Sequence, residues 1–196
     1  SAASDVYKRQ LVQTISEYEG VPKNFVLCGN GASELIYAYC GAVRPKRAME
    51  LAPTFSEYSL ALRRTGCEVV RFALKQEENF DLRENFLPFL AREKIDALFL
   101  CNPNNPTSSC IRRDEMRHIL DACKQYDIYV MVDETYVEFA DNKNEISAVP
   151  LTNYYNNIVI LRGTSKFFAA PGLRLGYAIT GNRDLIKAIN TRKNPW

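Results

Sequence analysis

The sequence contains one histidine and no two cysteines separated by only two residues. A single histidine excludes a multi-histidine metal site, and the six scattered cysteines lack the paired spacing of zinc sites, so no metal is expected. Several cysteines lie inside apolar runs, which favours reduced core cysteines of a cytoplasmic protein over a disulfide framework. A Ser-His-Asp hydrolase would need His118, which follows Arg117 on a charged helix face where a solvated structural role is expected.

An excess of charge of one sign and long hydrophobic runs are also missing. The formal net charge is +2, which gives no reason to expect binding to nucleic acid or to an anionic membrane surface. No apolar run approaches the roughly 18 residues that a membrane-spanning helix needs. With 196 residues, 46% apolar and 24% charged, the chain has the composition of a soluble globular domain with one sizeable core.

Short apolar strands alternate with helical patterns along the chain, as in the strand at residues 158–161. Another element is the helix expected over residues 81–92, which Asp81 would cap. This alternation predicts a three-layer α/β/α fold with a mostly parallel sheet. Ligands of such sheets bind beyond the carboxyl ends of the strands.

Polar motifs follow five of these strands, in the order Gly-Asn-Gly-Ala-Ser-Glu (29–34), Pro-Thr-Phe (53–55), Asn-Pro-Asn-Asn-Pro-Thr (102–107), Asp-Glu-Thr-Tyr (133–136), and Ser-Lys (165–166) with Gly-Leu-Arg (172–174). The glycine turn presents backbone N–H groups at the positive end of a helix dipole, which suits a phosphate. Lys166 has apolar neighbours that would favour its neutral, nucleophilic amine, and Arg174 offers a planar fork for a phosphate. Asp133 ends a buried strand, where a carboxylate needs a partner.

Each motif alone has an ordinary structural interpretation, such as a surface lysine, a core phenylalanine or a turn. Their order along the chain is far more specific. As a set, from about residue 11 to residue 196, they resemble the pyridoxal-phosphate (PLP) enzymes of the class I/II aminotransferase family, of fold type I. The branch most similar to this chain contains histidinol-phosphate aminotransferase and threonine-phosphate decarboxylase.

The resemblance implies roles around the pyridine ring of PLP. Lys166 would form the Schiff base and then act as general acid and base at the substrate α-carbon. Asp133 would pair with the ring nitrogen and keep it protonated, so that the ring is an electron sink. Asn105 and Tyr136 would bind the phenolic oxygen, and Phe55 would stack on the ring. Asp133, Tyr136 and Lys166 are the expected catalytic residues.

The resemblance also implies a phosphate site, formed by the backbone of Gly31, Ala32 and Ser33 with the side chains of Ser165 and Arg174. Two positions depart from the family pattern. Gly163 stands where a serine or threonine is frequent, three residues before the lysine. Ser108 stands where a glycine is usual, and a serine there would be strained if the position needs a positive φ.

The implied activity is that of a transaminase or α-decarboxylase acting on a small amino-acid-like substrate, with phosphorylated ones among the candidates. Residues 167–172 and 194–196 look slightly more like threonine-phosphate decarboxylase. The alternative is histidinol-phosphate or another small-acid aminotransferase. An alternative of another class is a nucleotide-binding module built on residues 29–32, although the third glycine of a dinucleotide fingerprint is missing.

The expected domain organisation is a PLP-binding large domain over residues 11–196, with the small domain missing. Residues 1–10 look foreign to the protein or disordered. As a fragment the chain is expected to be inactive alone, because family active sites lie between the two subunits of a homodimer and are closed by the small domain.

Overall fold

The computed structural model describes residues 2–164 and 174–194, and its sheet has seven strands. The strands are β1 (Val26–Gly29), β2 (Arg47–Ala52), β3 (Glu68–Ala73), β4 (Ala97–Cys101), β5 (Tyr129–Asp133), β6 (Ile158–Gly163) and β7 (Gly176–Ile179). The helices are α1 (Ala2–Glu19), α2 (Ala32–Val43), α3 (Glu57–Arg64), α4 (Phe86–Glu93), α5 (Arg113–Gln125), α6 (Lys143–Ile146) and α7 (Arg183–Asn190). Single-turn 3₁₀ helices occupy several connections, including Lys23–Phe25 and Val137–Phe139.

The order of the strands across the sheet is β1-β7-β6-β5-β4-β2-β3. The pairs from β6 to β3 are parallel, whereas β7 is antiparallel to both of its neighbours. All strands except β7 therefore point the same way, which confirms the mostly parallel sheet. Because β7 is reversed, its first residue lies at the edge where the other strands end, and Gly176 pairs with both Gly29 and Gly163.

Two hydrophobic clusters cover the two faces of the sheet. One contains the buried faces of α1, α4 and α5, for example Ile15, Leu90 and Met116. The other contains those of α2, α3 and α7, for example Ile36 and Leu62. This arrangement confirms the three-layer α/β/α fold. Successive strand residues contribute to opposite clusters, as a pleated strand buried on both faces requires.

The predicted start of the fourth helix is wrong. The helix begins at Phe86, and its N-cap residue is Asn85 rather than Asp81. The chain first makes a 3₁₀ turn and then takes positive φ values at Asn79 and Phe80, so the segment around Asp81 is a loop that connects β3 to α4. An aspartate at the start of a polar stretch was therefore mistaken for a helix cap.

Four further predictions concern the cysteines, His118, membrane-spanning helices and residues 1–10. All six cysteines are free, and five of them are buried, which confirms that most are core cysteines. His118 is exposed on α5, as expected. Within the described ranges, no helix is both long and apolar enough to cross a membrane. Helix α1 runs through most of residues 1–10, whose foreign origin stays a prediction.

Candidate cofactor site

A cleft of about 660 Å³ of open space lies at the carboxyl edge of the sheet. Every predicted site residue that the structure describes lines it: Gly31, Ala32, Ser33, Phe55, Asn105, Asp133, Tyr136 and Arg174. Cys101, Thr135 and Gly163 also line it, although the sequence did not single them out as ligand-binding. Ser165 and Lys166 lie outside the described residues. The cleft has the position expected for a cofactor pocket of an α/β sheet.

One wall of the cleft is the turn between β1 and α2. Gly31 has a φ of 88° and is the N-cap of α2, which has no side-chain cap. A Cβ atom at Gly31 would meet nothing within 4 Å, so open space lies over this backbone. The turn packs closely on β7 instead, because a Cβ at Gly176 would lie 2.5 Å from the Ala32 nitrogen. The helix N-terminus is thus left facing the cleft, where it favours an anion.

The asparagine-rich loop after β4 is rigid because two of its asparagines bind the protein interior. The Asn102 side chain donates to the Ile111 carbonyl oxygen (2.9 Å) and accepts from the Ile111 N–H (2.8 Å), which ties the two ends of the loop together. Asn104 donates to the Pro53 carbonyl oxygen (3.0 Å) and accepts from the Thr54 hydroxyl (2.8 Å). Asn105, the next residue along the chain, is the asparagine of the run that lines the cleft.

The same loop explains the effect of the unusual serine. Ser108 has a φ of 61°, in the left-handed region that favours glycine. Its N–H donates to the Asn104 carbonyl oxygen at 2.7 Å, so the tight turn fixes this conformation. Ser108 therefore has the positive φ at which a serine is strained, as the sequence analysis considered.

Asp133 lies at the bottom of the cleft and is 4% exposed. Its Oδ2 atom accepts a hydrogen bond from the Tyr58 hydroxyl at 2.6 Å, and its Oδ1 atom accepts from the Thr135 N–H at 2.9 Å and from the Thr135 hydroxyl. All of these donors are neutral. Among the residues that the structure describes, Asp133 takes part in no salt bridge. Its negative charge is therefore solvated by dipoles but not neutralised.

Glu134, the next residue, points to the opposite face of the sheet. It is 1% exposed and forms a salt bridge with Arg162 on β6 at 2.8 Å. It also accepts from the Ser147 hydroxyl (2.9 Å) and from the Ala148 N–H (2.6 Å). These contacts confirm that Glu134 is structural, as its position beside Asp133 had indicated.

Arg162 is the centre of a buried ion cluster that joins four segments of the chain. Besides Glu134, it contacts Glu19 at the end of α1 (3.1 Å) and Glu138 (3.2 Å). Burial disfavours the charged form of Arg162, but Glu134 and Glu19 outweigh that effect and raise its pKa above the usual value. Tyr177 on β7 donates to Glu19 at 2.5 Å, so the cluster attaches α1 to the sheet next to the site.

Comparison with known proteins identifies the family. The model of the family "Aminotransferase class I and II" matches residues 5–196. The chain belongs to this family. Membership decides against a nucleotide-binding module without PLP chemistry, because pyridoxal phosphate is the cofactor of class I and II aminotransferases.

Three relatives show the range of similarity. The chain is 34% identical over 186 residues to threonine-phosphate decarboxylase of Salmonella typhimurium (95% of the chain, 50% of the relative). It is 34% identical over 194 residues to histidinol-phosphate aminotransferase of Chlorobium phaeovibrioides (98% and 52%). The crystal structure of histidinol-phosphate aminotransferase from Clostridium acetobutylicum superposes with a TM-score of 0.85 at 28% identity, covering 97% of the chain and 55% of that protein. The chain thus spans about half the length of these relatives, and its fold is that of the fold type I large domain.

The residues of the cleft fit the cofactor of class I and II aminotransferases. The open N-terminus of α2 and the exposed guanidinium of Arg174 form a positive end that suits a phosphate. At the bottom of the same cleft, the Asp133 carboxylate suits a protonated ring nitrogen. One cleft therefore offers opposite charges to the two ends of one small molecule.

Sequence reasoning missed two residues that shape this site. Tyr58 is separated from Asp133 by 75 positions, so no local pattern links them. Thr135 belongs to the motif that follows β5, but the sequence pattern assigns no role to it. Its Cγ2 atom would lie 3.0 Å from a Cβ at Gly163, so Thr135 occupies the space that a serine side chain at that position would need. The absence of a side chain at Gly163 therefore leaves room for Thr135.

Proposed function

We propose that the complete protein containing this chain is a PLP-dependent enzyme that breaks a bond at the α-carbon of a small amino-acid-like substrate. The observation that carries the proposal is Asp133, a buried carboxylate whose charge is not neutralised by another described residue, at the bottom of a cleft with a positive rim. A buried carboxylate of this kind is costly unless a cationic ligand completes it.

The chain's own residues would divide the work in the following way. Asp133 would hold a proton on the ring nitrogen, and Asn105 and Tyr136, which line the cleft above it, would donate to the ring oxygen. Phe55 would cover one ring face and exclude water from it. When bound, pyridoxal phosphate supplies an electron-withdrawing ring that stabilises the negative charge left at the substrate α-carbon.

The phosphate would be held at the other end of the cleft. Gly31 would let the phosphate approach the backbone, and the N–H groups of Ala32 and Ser33 would donate to its oxygens at the positive end of α2, since the Gly31 N–H already donates to the Gly29 carbonyl oxygen (2.9 Å). Arg174 would donate two parallel hydrogen bonds to the phosphate, since it lines the same cleft two residues before the reversed strand β7. Ser165 would add a hydroxyl.

Lys166 would bind the cofactor covalently and later carry the proton to or from the substrate α-carbon. The motif that surrounds it supports this role. Reduction of the complete holoprotein with borohydride, followed by peptide mass spectrometry, tests the role directly. We expect the pyridoxyl label on Lys166. A label on Lys187 or Lys193, or no label, would refute it.

The first candidate reaction is decarboxylation of threonine phosphate. The similarity to the Salmonella typhimurium decarboxylase supports it, as do residues 167–172. The second candidate is amino transfer from histidinol phosphate, supported by the Chlorobium phaeovibrioides relative and by the superposition on the Clostridium acetobutylicum enzyme. Both substrates are small phosphorylated amines.

Two assays of the complete protein separate these reactions. Phosphothreonine should release carbon dioxide if the first candidate holds, and histidinol phosphate with 2-oxoglutarate should yield glutamate if the second holds. Failure of both, with bound cofactor present, would exclude both substrates.

We further propose a cytoplasmic homodimer with no nucleic-acid or membrane partner. Free, mostly buried cysteines support a reducing compartment. Residues 1–196 alone should show no turnover, because they span about half the length of the relatives.

A further inference from the structure

The hydroxyl of Tyr58 donates a hydrogen bond to one of the two carboxylate oxygens of Asp133, Oδ2, at 2.6 Å. Tyr58 lies on α3, and its side chain is fully buried. Thr135 holds the other oxygen. The plane of the carboxylate is therefore fixed by donors from two separate elements, one local and one distant.

The ring of Tyr58 is itself held by aromatic neighbours. It meets Phe55 in an edge-to-face arrangement (centroids 5.6 Å apart, planes at 81°), and it lies 5.6 Å from Phe99 on β4. Phe55 is the aromatic residue that lines the cleft. One side chain thus contacts both the aromatic wall and the acidic bottom of the site.

We propose that Tyr58 is a positioning residue that holds Asp133 oriented for a cationic cofactor ring. This inference rests on the proposed function. A hydrogen bond to a carboxylate is strong, so the Tyr58 hydroxyl holds the Asp133 side chain in one orientation. Burial and the nearby Asp133 charge raise the pKa of Tyr58 well above its usual value, and the phenol stays a donor throughout the working pH range.

A buried tyrosine can also serve packing alone, and the chain contains a control for that role. Tyr39 is equally buried and packs edge-to-face on the same Phe99 at 5.6 Å. Within the described residues its hydroxyl has no hydrogen-bond partner. Tyr39→Phe and Tyr58→Phe therefore remove the same atom from neighbouring places in one core, and only the second removes a contact to Asp133.

The test measures the affinity of the complete apoprotein for PLP in the two single variants, and again with Asp133→Ala added to each of them. Among the described residues, Cys101, Tyr136 and Arg174 are the other ionisable groups lining the cleft, and all stay unchanged in these variants. A hydrogen bond to a charged group is strong enough that Tyr58→Phe should weaken PLP binding about tenfold while Asp133 is present, and should cause no further weakening once position 133 is alanine. Tyr39→Phe should leave the affinity unchanged in both cases.

An unchanged PLP affinity in folded Tyr58→Phe would overturn the inference, even if the melting temperature falls, and so would an equal loss of affinity with and without Asp133. If Tyr58→Phe does not fold, 3-fluorotyrosine at position 58 keeps the shape and strengthens the donor, so PLP binding should then tighten, and an unchanged affinity would overturn the inference too. If the unaltered apoprotein binds no PLP, the proposed function fails instead, and the two failures are distinguishable.

Discussion

Asp133 and Glu134 are adjacent buried carboxylates with opposite environments. Glu134 faces the α1 side of the sheet, where Arg162 neutralises it. Asp133 faces the α3 side, where its donors are the neutral groups of Tyr58 and Thr135. The difference follows from the pleat of the strand, which sends successive side chains to opposite faces. A buried carboxylate with an arginine partner is neutralised by the protein itself. A buried carboxylate whose donors are neutral groups can still be neutralised by a cationic ligand.

The largest effect on turnover is expected from removing the charge of Asp133. Asp133→Asn keeps the shape of the side chain but cannot hold a proton on a ring nitrogen. We expect the turnover of the complete protein to fall by about 10³, while PLP still binds through its phosphate. Steady-state kinetics with either candidate substrate measures this, and turnover within tenfold of the unaltered protein would contradict the role.

The equivalent change on the other face should affect stability instead. Glu134→Gln leaves Arg162 with fewer compensating charges in a buried site, so the free energy of unfolding should fall by about 3 kcal/mol. Glu19 and Glu138 remain near Arg162 and limit the loss. Denaturant unfolding measures the change, and the turnover per folded molecule should stay within about threefold. A large loss of turnover with normal stability would reverse the assignment of the two carboxylates.

A smaller effect is expected from crowding the turn between β1 and α2, which is the proposed phosphate site. Gly176→Ala would place a Cβ atom 2.5 Å from the Ala32 nitrogen, so the turn must move away from the cleft. Overpacking of this kind costs about 1–3 kcal/mol, and we expect weaker PLP binding as well as a lower melting temperature.

Gly41→Ala is the matched control for this change. Position 41 lies within α2, and the nearest atom to its Cβ would be 3.8 Å away. Alanine should therefore stabilise the helix by up to about 1 kcal/mol without affecting the cofactor. If Gly176→Ala and Gly41→Ala have the same PLP affinity and melting temperature, the turn between β1 and α2 tolerates displacement.

The smallest expected effect concerns the loop that carries Asn105. Ser108→Gly relieves the strain of a φ of 61° but increases the entropy of the unfolded chain, so stability should rise by only about 0.5 kcal/mol. Ser56→Gly is the control, since Ser56 is also exposed but has a φ of −70°. It should lower stability by a similar amount. A stability loss in Ser108→Gly would mean that the serine side chain supports the loop.

Residues at strand ends could be predicted from the sequence because a parallel sheet brings such ends together regardless of detail. Asp133 is predicted in that way, whereas the role of Asn105 comes from the resemblance to the aminotransferase family. Contacts across the fold could not be found, because Tyr58 reaches Asp133 only after α3 packs on β4. The reversal of β7 was also not predicted, since a short apolar strand carries no mark of its direction. The start of α4 was misjudged because an aspartate suits a turn as well as a helix cap.

The most direct test of the account is a crystal structure of the complete protein with PLP. The account predicts the ring nitrogen within hydrogen-bond distance of Asp133, about 2.7–3.2 Å, with Glu134 still paired to Arg162. It also predicts the phosphate at the N-terminus of α2. A cofactor bound elsewhere, or an Asp133 carboxylate paired with a cation of the protein instead of the ring, would contradict it.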